Sequence, residues 1–410
     1  MIIKQLFNEK NFRIIKKKDK NNRDIRVYNL KNVELCGISK NYPYTLLYHN
    51  NNDYLTLPIN EMTMSTGKKS IYEENDMNFH FINTNVTQID QDVYFFIYNI
   101  QNYYHFLYDT LPYLYCYLEI RKERKIKLLM NYEKLLPFVK ESLELLNINE
   151  SDIINYKDNY SFKSLYISNS LTHDGMSNSP PRKEIFDIYQ IMINNALKYN
   201  KLLSFPKKIY ISRRTWINNN KDNIGTDYTT RRKMMNEDIL VENLSRLNFT
   251  EFFGENYSMI DKINIFNNCE YVIGAIGGTI TNTIFCNKNV KIITIVSPDF
   301  LNKNHRMKFL FNKNVKLFND VKLACKKNTI PPNVRIEITD KNIKEYKKLG
   351  EIQNMDNDKY TIRLSNDYNT WKNDDNFKII NLYRNQFKTL DNGINSPYFV
   401  DIKSLLEIID

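Results

Sequence analysis

Glycine is scarce in this chain, with 10 in 410 residues, beside 11 prolines and 2 tryptophans. Glycine is the default residue where a backbone turns left-handed or another group approaches closely, so a glycine cluster in such a chain marks a special place. The five cysteines, Cys36, Cys116, Cys269, Cys286 and Cys325, are scattered and odd in number, and no CxxC occurs. That spacing indicates neither a zinc site nor a disulfide framework, and a reducing compartment is the simplest reading. Five histidines show no HxH or HExxH spacing, so the sequence contains no readable metal site. GxSxG, the P-loop and a full GxGxxG are missing too. No run approaches the ~20 apolar residues needed to span a bilayer, and the opening MIIKQLFNEKNF lacks the apolar core of about 7–15 residues found in a signal peptide. A soluble intracellular setting, without an integral membrane segment, is the expectation.

What is abundant is Asn, Lys, Ile and Tyr, the bias of an AT-rich coding genome such as a microbe's or a large virus's. It accounts for most of the net charge of +11. The lysines are dispersed among Asn and Asp, and the densest patches, residues 16–20 and 121–127, read as solvated faces. A nucleic-acid reader is therefore the weakest class, because it needs a clustered basic and aromatic surface. A phosphate-bearing substrate would also be drawn by this field. Sequons such as Asn85-Val86-Thr87 are expected by chance in so Asn-rich a chain.

Hydrophobic residues at 42% and charged residues at 26% are ordinary globular values, and 410 residues suit two domains or one with an appendage. Residues 1–90 read as β-rich, with strands at 25–30, 45–50 and 54–59 and a hairpin turn at 50–53. A buried strand at 93–99 precedes a helix that starts at His105. At ~100° per residue, Leu107, Leu111, Leu114 and Leu118 share one face, and His105, Asp109, Pro112 and Cys116 the other. Pro112 predicts a kink, with the Tyr108 carbonyl deprived of its usual partner. A second α/β unit follows, and residues 169–181 read as a hinge or lid.

Residues 207–296 alternate strand-length apolar runs with amphipathic helical runs, which predicts βαβ units and a parallel sheet. Here Gly274, Gly277 and Gly278 gather where the strand YVIGAI meets the run GGTITNTIF. A strand, a glycine turn and a helix N-terminus form a common anion site, so this is the expected seat of a diphosphate. Beyond 296 the pattern weakens, and YFVDIKSLLEIID reads as a closing helix. Two acidic triplets, residues 90–92 and 356–358, read as a strand lead-in and a solvated turn rather than metal ligands.

Four fragments stand in order: His105, Asp109, Leu111 and Pro112; Ser212 and Arg213 ending a strand; Arg232 four residues before Asn236 and Glu237; and Ile276, Gly277, Gly278, Thr279, Ile280, Thr281, Asn282, Thr283, Ile284 and Phe285. Their order and spacing resemble the family 61 glycosyltransferases, which include protein O-linked GlcNAc transferases and plant xylosyl- and arabinosyltransferases. The resemblance covers about residues 93–296. It implies an α/β, GT-B-like fold: two Rossmann-like domains facing a cleft, with a β-rich N-terminal part and a C-terminal extension. The corresponding division is 1–203 (acceptor side), 204–330 (sugar-nucleotide-binding) and 331–410. It further implies inverting transfer from a UDP-sugar to a hydroxyl of a glycan or glycoprotein, with no cofactor and no metal. His105 and Asp109 are then the catalytic pair, and Arg213, Arg232, Asn236, Glu237, Gly277, Gly278, Thr279, Thr281 and Asn282 bind the donor.

Each residue has a second reading. His105 fits a core histidine, Asp109 a cap for the Pro112 turn, the arginines surface ion pairs, Asn236 an N-cap, and Gly277-Gly278 a tight turn. Either His105 or Asp109 could be the base. Ile276 stands where the family has His, which keeps open a catalytically inactive glycan- or nucleotide-binding protein.

Overall fold

A computed structural model of the chain describes residues 2–6, 10–19, 23–35, 53–56, 72–75, 78–81, 86–156, 160–172, 181–199, 204–214, 234–297, 315–323, 330, 334–356, 358–365, 378–390 and 397–409. The chain divides into two compact units, residues 1–202 with 258–264 and residues 203–257 with 265–410. The architecture is mixed α/β with parallel sheets.

In the first unit, β1 (Ile2–Gln5) pairs in parallel with β4 (Asp53–Thr56), and β5 (Tyr72–Asn75) pairs antiparallel with β6 (Asn78–Phe81). The main sheet has six strands in the order β2 (Arg13–Lys16), β3 (Ile25–Leu35), β10 (Tyr160–Ser168), β7 (Thr87–Phe95), β8 (Lys127–Met130) and β9 (Ile153–Asn155). The last four are parallel, and β3 and β2 run antiparallel at the edge. Val93, Tyr94, Phe95, Leu128, Leu129 and Met130 are all buried, as continuous apolar runs in a sheet covered on both faces should be. The helices of this unit are α1 (Tyr103–His105), α2 (Leu114–Arg121), α3 (Pro137–Leu145) and α4 (Ile185–Lys198), with α4 packed on α2 and α3.

Two readings change here. The strand expected at 93–99 begins at Thr87 and ends at Phe95, so residues 90–92 lie inside β7 and not ahead of it. Its first half, Thr87–Asp92, is exposed or half-buried, which weakens the apolar signal, and Asp92 pairs with Arg124 at 3.2 Å. The strand expected at 45–50, most of the 50–53 turn and residues 173–180 of the expected lid lie outside the described residues.

The second unit is built on a wholly parallel sheet in the order β12 (Thr250–Phe252), β11 (Lys208–Ile211), β13 (Tyr271–Ala275), β14 (Lys291–Ile295) and β15 (Val315–Phe318). Counted within the sheet, this is second, first, third, fourth, fifth. The winding reverses between β11 and β13, and open α/β sheets bind ligands outside the carboxyl ends of their strands at such a reversal. Helix α5 (Glu237–Arg246) joins β11 to β12, and α6 (Met259–Asn268) joins β12 to β13. Alternate residues Tyr210, Ile273, Ala275, Ile293 and Ile295 share one core with Leu240 and Leu244 of α5.

Where the sequence pattern weakens, the structure holds a regular antiparallel sheet, β17 (Arg335–Ile338), β18 (Leu349–Asp356), β19 (Lys359–Ser365), β20 (Lys378–Tyr383) and β21 (Phe387–Thr389), in the order β20-β19-β18-β17-β21. Its own core includes Ile336, Ile338, Ile352, Ile362 and Leu364. The outward-facing positions carry polar residues, which diluted the apolar signal. The closing stretch is not all helix: β22 (Tyr398–Val400) pairs antiparallel with β16 (Val321–Leu323), and only Ile402–Leu406 is helical, capped by Asp401 Oδ1 accepting from Ser404 N at 3.0 Å. Tyr398, Val400, Leu405 and Ile409 join the core of α5 and the parallel sheet.

The scarcity of glycine has a visible counterpart. Asn147 (φ 56°) and Asn248 (φ 63°) end α3 and α5 in the left-handed conformation where glycine is usual. Each helix is closed by a six-to-one bond, Ile148 N to Leu143 O at 2.9 Å and Phe249 N to Leu244 O at 3.0 Å. Among the described residues no helix is long and apolar enough to cross a membrane.

Candidate functional site

In the first unit the helix that follows β7 is composite. Residues Tyr103–His105 are α-helical, Phe106–Thr110 form a π-helical turn, Leu111–Tyr113 a 3₁₀ turn, and Leu114–Arg121 the α-helix α2. Leu111 N donates to Phe106 O, five residues back, so the Leu107 carbonyl is left over; the Tyr189 hydroxyl of α4 fills it at 2.8 Å. Such π turns concentrate at functional sites. Pro112 sits in the 3₁₀ turn. The segment is buried all round: Leu107, Leu111 and Leu114 are inside, and so are Asp109 and Cys116 on the face expected to lie opposite. The amphipathic reading therefore fails, because tertiary packing covers both faces.

Within this segment His105 Nδ1 and Asp109 Oδ2 are 2.6 Å apart. The Asp109 side chain is 0% exposed and that of His105 31%. A carboxylate accepts, so Nδ1–H is the donor and the Nε2 lone pair is left for another proton. The local frame is fixed by side chains. Asn102 Oδ1 accepts from His105 N at 3.1 Å, Thr110 Oγ1 donates to Asn99 O at 2.9 Å, and the Tyr104 ring stands edge-on to the imidazole at 5.0 Å. The spacing Asn102-x-x-His105 was a legible N-cap signal; the support from Tyr189 was not, because it arrives from another helix.

In the second unit the sheet's reversal brings together residues far apart in sequence. Arg213, just beyond β11, is buried, and its Nη1 donates to Ile276 O at 3.1 Å, just beyond β13. A Cβ on Gly277 would lie 3.0 Å from that same Nη1. A side chain at 277 would crowd the guanidinium. Gly278 has ordinary helical angles, φ −61° and ψ −48°. The Ile276 side chain is buried, and the bond to Arg213 is made by its backbone carbonyl.

Glu237, the first residue of α5, is buried under the same strand end. Its Oε1 accepts from Arg213 N at 2.7 Å, the Tyr210 hydroxyl at 2.8 Å and Ser212 Oγ at 3.4 Å. Burial raises its pKa above the ordinary 4.5, with the bonds from Arg213 N and Tyr210 opposing, and burial beside Glu237 pushes the Tyr210 phenol well up. The neighbouring arginine has a different fate: Arg214 is clamped by Glu251 at 2.5 and 2.9 Å and by Asp238 at 2.6 Å. These carboxylates hold its pKa above the usual arginine value. Asn236 occupies the cap position of α5 but caps nothing; its amide bonds Val400 O at 2.8 Å and Val400 N at 3.0 Å, because the returning β22 offers both partners of a backbone pair.

The run after Gly278, where the sequence predicts a helix, is a seven-residue 3₁₀ helix, Thr279–Phe285. Its tighter turn begins with Thr281 N donating to Gly278 O at 3.1 Å. Gly277, Gly278 and Thr279 are partly exposed, whereas Thr281 and Asn282 are buried. Asn282 Nδ2 donates to Thr279 O at 2.9 Å. Gly254 brings its loop against Thr279, where a Cβ would meet the Thr279 methyl at 2.8 Å. Arg232 lies outside the described residues. Among the described residues no three His, Cys, Asp or Glu side chains are grouped to hold a metal ion.

Residues 103–293 match the family described as Glycosyltransferase 61. The match opens on the first turn of the composite helix and closes within β14, and so takes in His105, Asp109, Arg213 and the Gly277 turn. No curated protein matches the chain.

Proposed function

We propose that this chain, whose residues 103–293 belong to the glycosyltransferase 61 family and which is therefore a glycosyltransferase, is an inverting enzyme that moves a sugar from a UDP-sugar to a hydroxyl of a glycan or protein without a metal. The observation that carries this reading is the buried Arg213 guanidinium beside Gly277 at the reversal of the parallel sheet. That is where an α/β sheet takes a ligand, and a guanidinium matches a diphosphate in charge and in its fork of donors. It neutralises the charge that grows on the leaving UDP, the task a metal performs elsewhere. Gly277, Gly278 and Thr279 supply close backbone approach, while Glu237 holds the strand end that presents Arg213. Asn236 acts at one remove, by closing β22 onto α5. Arg232 completes the donor contacts.

Inversion by single displacement needs one base. The acceptor oxygen attacks the anomeric carbon, the bond to UDP breaks, and the acceptor's proton passes to His105 Nε2. Asp109, fully buried and bonded to Nδ1, positions the ring and balances the imidazolium as it forms. The exposure of the two side chains favours this division of roles over a direct attack on the proton by Asp109. A GT-B arrangement, with residues 1–203 on the acceptor side, belongs to the same proposal.

The second reading, a binding protein that keeps the fold without catalysis, draws on Ile276 alone. A screen of UDP-sugars by calorimetry and by UDP release distinguishes them. UDP release with one or more donors, undiminished by EDTA, is the expected outcome. UDP binding with no turnover on any donor supports the binding protein, and no affinity for any nucleotide sugar overturns both.

A further inference from the structure

Outside that machinery, two thiols meet. Cys269 follows α6, Cys286 follows the 3₁₀ helix, and their sulfurs are 4.0 Å apart. We propose that Cys269 and Cys286 are a modification site, an intrachain disulfide that forms when the folded protein meets a low-molecular-weight disulfide such as oxidised glutathione. Spacing hid the pair: the residues are 17 apart in sequence and no short motif frames them.

The backbone segments that carry the pair are tied to each other. Asn287, next to Cys286, donates its amide to Asn267 O at 3.1 Å and to Cys269 O at 3.2 Å, and Lys291 N donates to Glu270 O at 2.9 Å. The sulfurs, 4.0 Å apart, have to close to the ~2.05 Å of a bond. Exposure sets the order of events. Cys286 is partly exposed and Cys269 fully buried. The Cys286 thiolate attacks the small disulfide, giving a mixed disulfide and releasing one thiolate. Cys269 attacks Cys286 Sγ, releasing the second. The oxidant takes two electrons, the protein loses two protons to solvent, and one S–S bond replaces another. Burial pushes the Cys286 thiol well up, so the first step is slow.

The bond would close a loop around β13, Gly277, Gly278 and the whole 3₁₀ helix, tethering both ends of the glycine turn. The test uses the full chain, reduced and then equilibrated in glutathione redox buffers, with alkylation, intact-mass measurement and peptide mapping. The expected result is a loss of two hydrogens, a linked Cys269–Cys286 peptide, and a rise of a few degrees in unfolding temperature from the closed loop. Cys269→Ser should stop as a glutathione adduct on Cys286, and Cys286→Ser should leave Cys269 unmodified over the same period. The wild-type mass measurement decides even if a variant fails to fold. Two thiols that stay open to alkylation after denaturation, at a redox poise that oxidises a dithiol control, overturn the proposal, as does a bond to any other cysteine.

Discussion

The two candidate centres are assembled in opposite ways. In the first unit the partners sit four residues apart on one helical segment, and the link His105–Asp109 is local. In the second, Glu237 and Ile276 lie 24 and 63 positions from Arg213, and the strand order brings them together. A local pair can be perturbed one residue at a time. A topological cluster depends on the sheet, so its members share one fate. In the proposed function the chemistry follows the same division, with proton handling in the first and anion recognition in the second.

The comparison is sharpest at His105. His105→Ala should keep UDP affinity and lose about 10²–10⁴-fold in transfer rate, the usual cost of removing a general base. Asp109→Asn should lose less. Steady-state rates beside calorimetry read both, and a dead Asp109→Asn with a near-normal His105→Ala would exchange the roles. Next in size is Arg213→Ala. A charge-assisted bond contributes about 1.5–3 kcal/mol, so UDP should bind roughly ten- to a hundredfold more weakly. Unchanged affinity would move the donor elsewhere.

Gly277→Ala tests whether the pose of Arg213 matters as well as its charge. The added Cβ meets the flexible end of Arg213 at 3.0 Å, so folding should tolerate it while UDP affinity falls severalfold. Parental affinity would show that the guanidinium does not need this position. The smallest effect is on stability. The folded pKa of Glu237 is raised, so the folded state holds this proton more tightly than the unfolded chain does. Stability from this group is therefore present below its unfolded pKa near 4.5 and is lost as pH rises toward the folded value. Glu237→Gln should remove that slope, gaining on the parent between acid and neutral pH in denaturant titrations. A parallel pH dependence in both proteins would mean that Glu237 ionises as freely folded as unfolded.

What the sequence made legible follows the same line between local and distant. The i, i+4 relation of His105 and Asp109 could be read from helical phase, and so could the alternation that makes the parallel sheet. The π turn could not, because the Tyr189 hydroxyl that satisfies its leftover Leu107 carbonyl arrives from α4. Arg213 and Arg214 look alike in sequence. Their separation into a residue at the glycine turn and a clamped structural cation needs the positions of Glu251 and Asp238. Asn236 looks like a cap, and only the return of β22 shows where its amide goes.

That return has a consequence for how the protein is made. Tyr398, Val400, Leu405 and Ile409 complete the core that Met234, Leu240 and Leu244 begin. As the ribosome delivers the chain from its N-terminus, the second unit emerges with that apolar face uncovered and Asn236 without the Val400 backbone. That core is complete only once residues 398–409 have joined it, a long-range closure of the kind that slows folding.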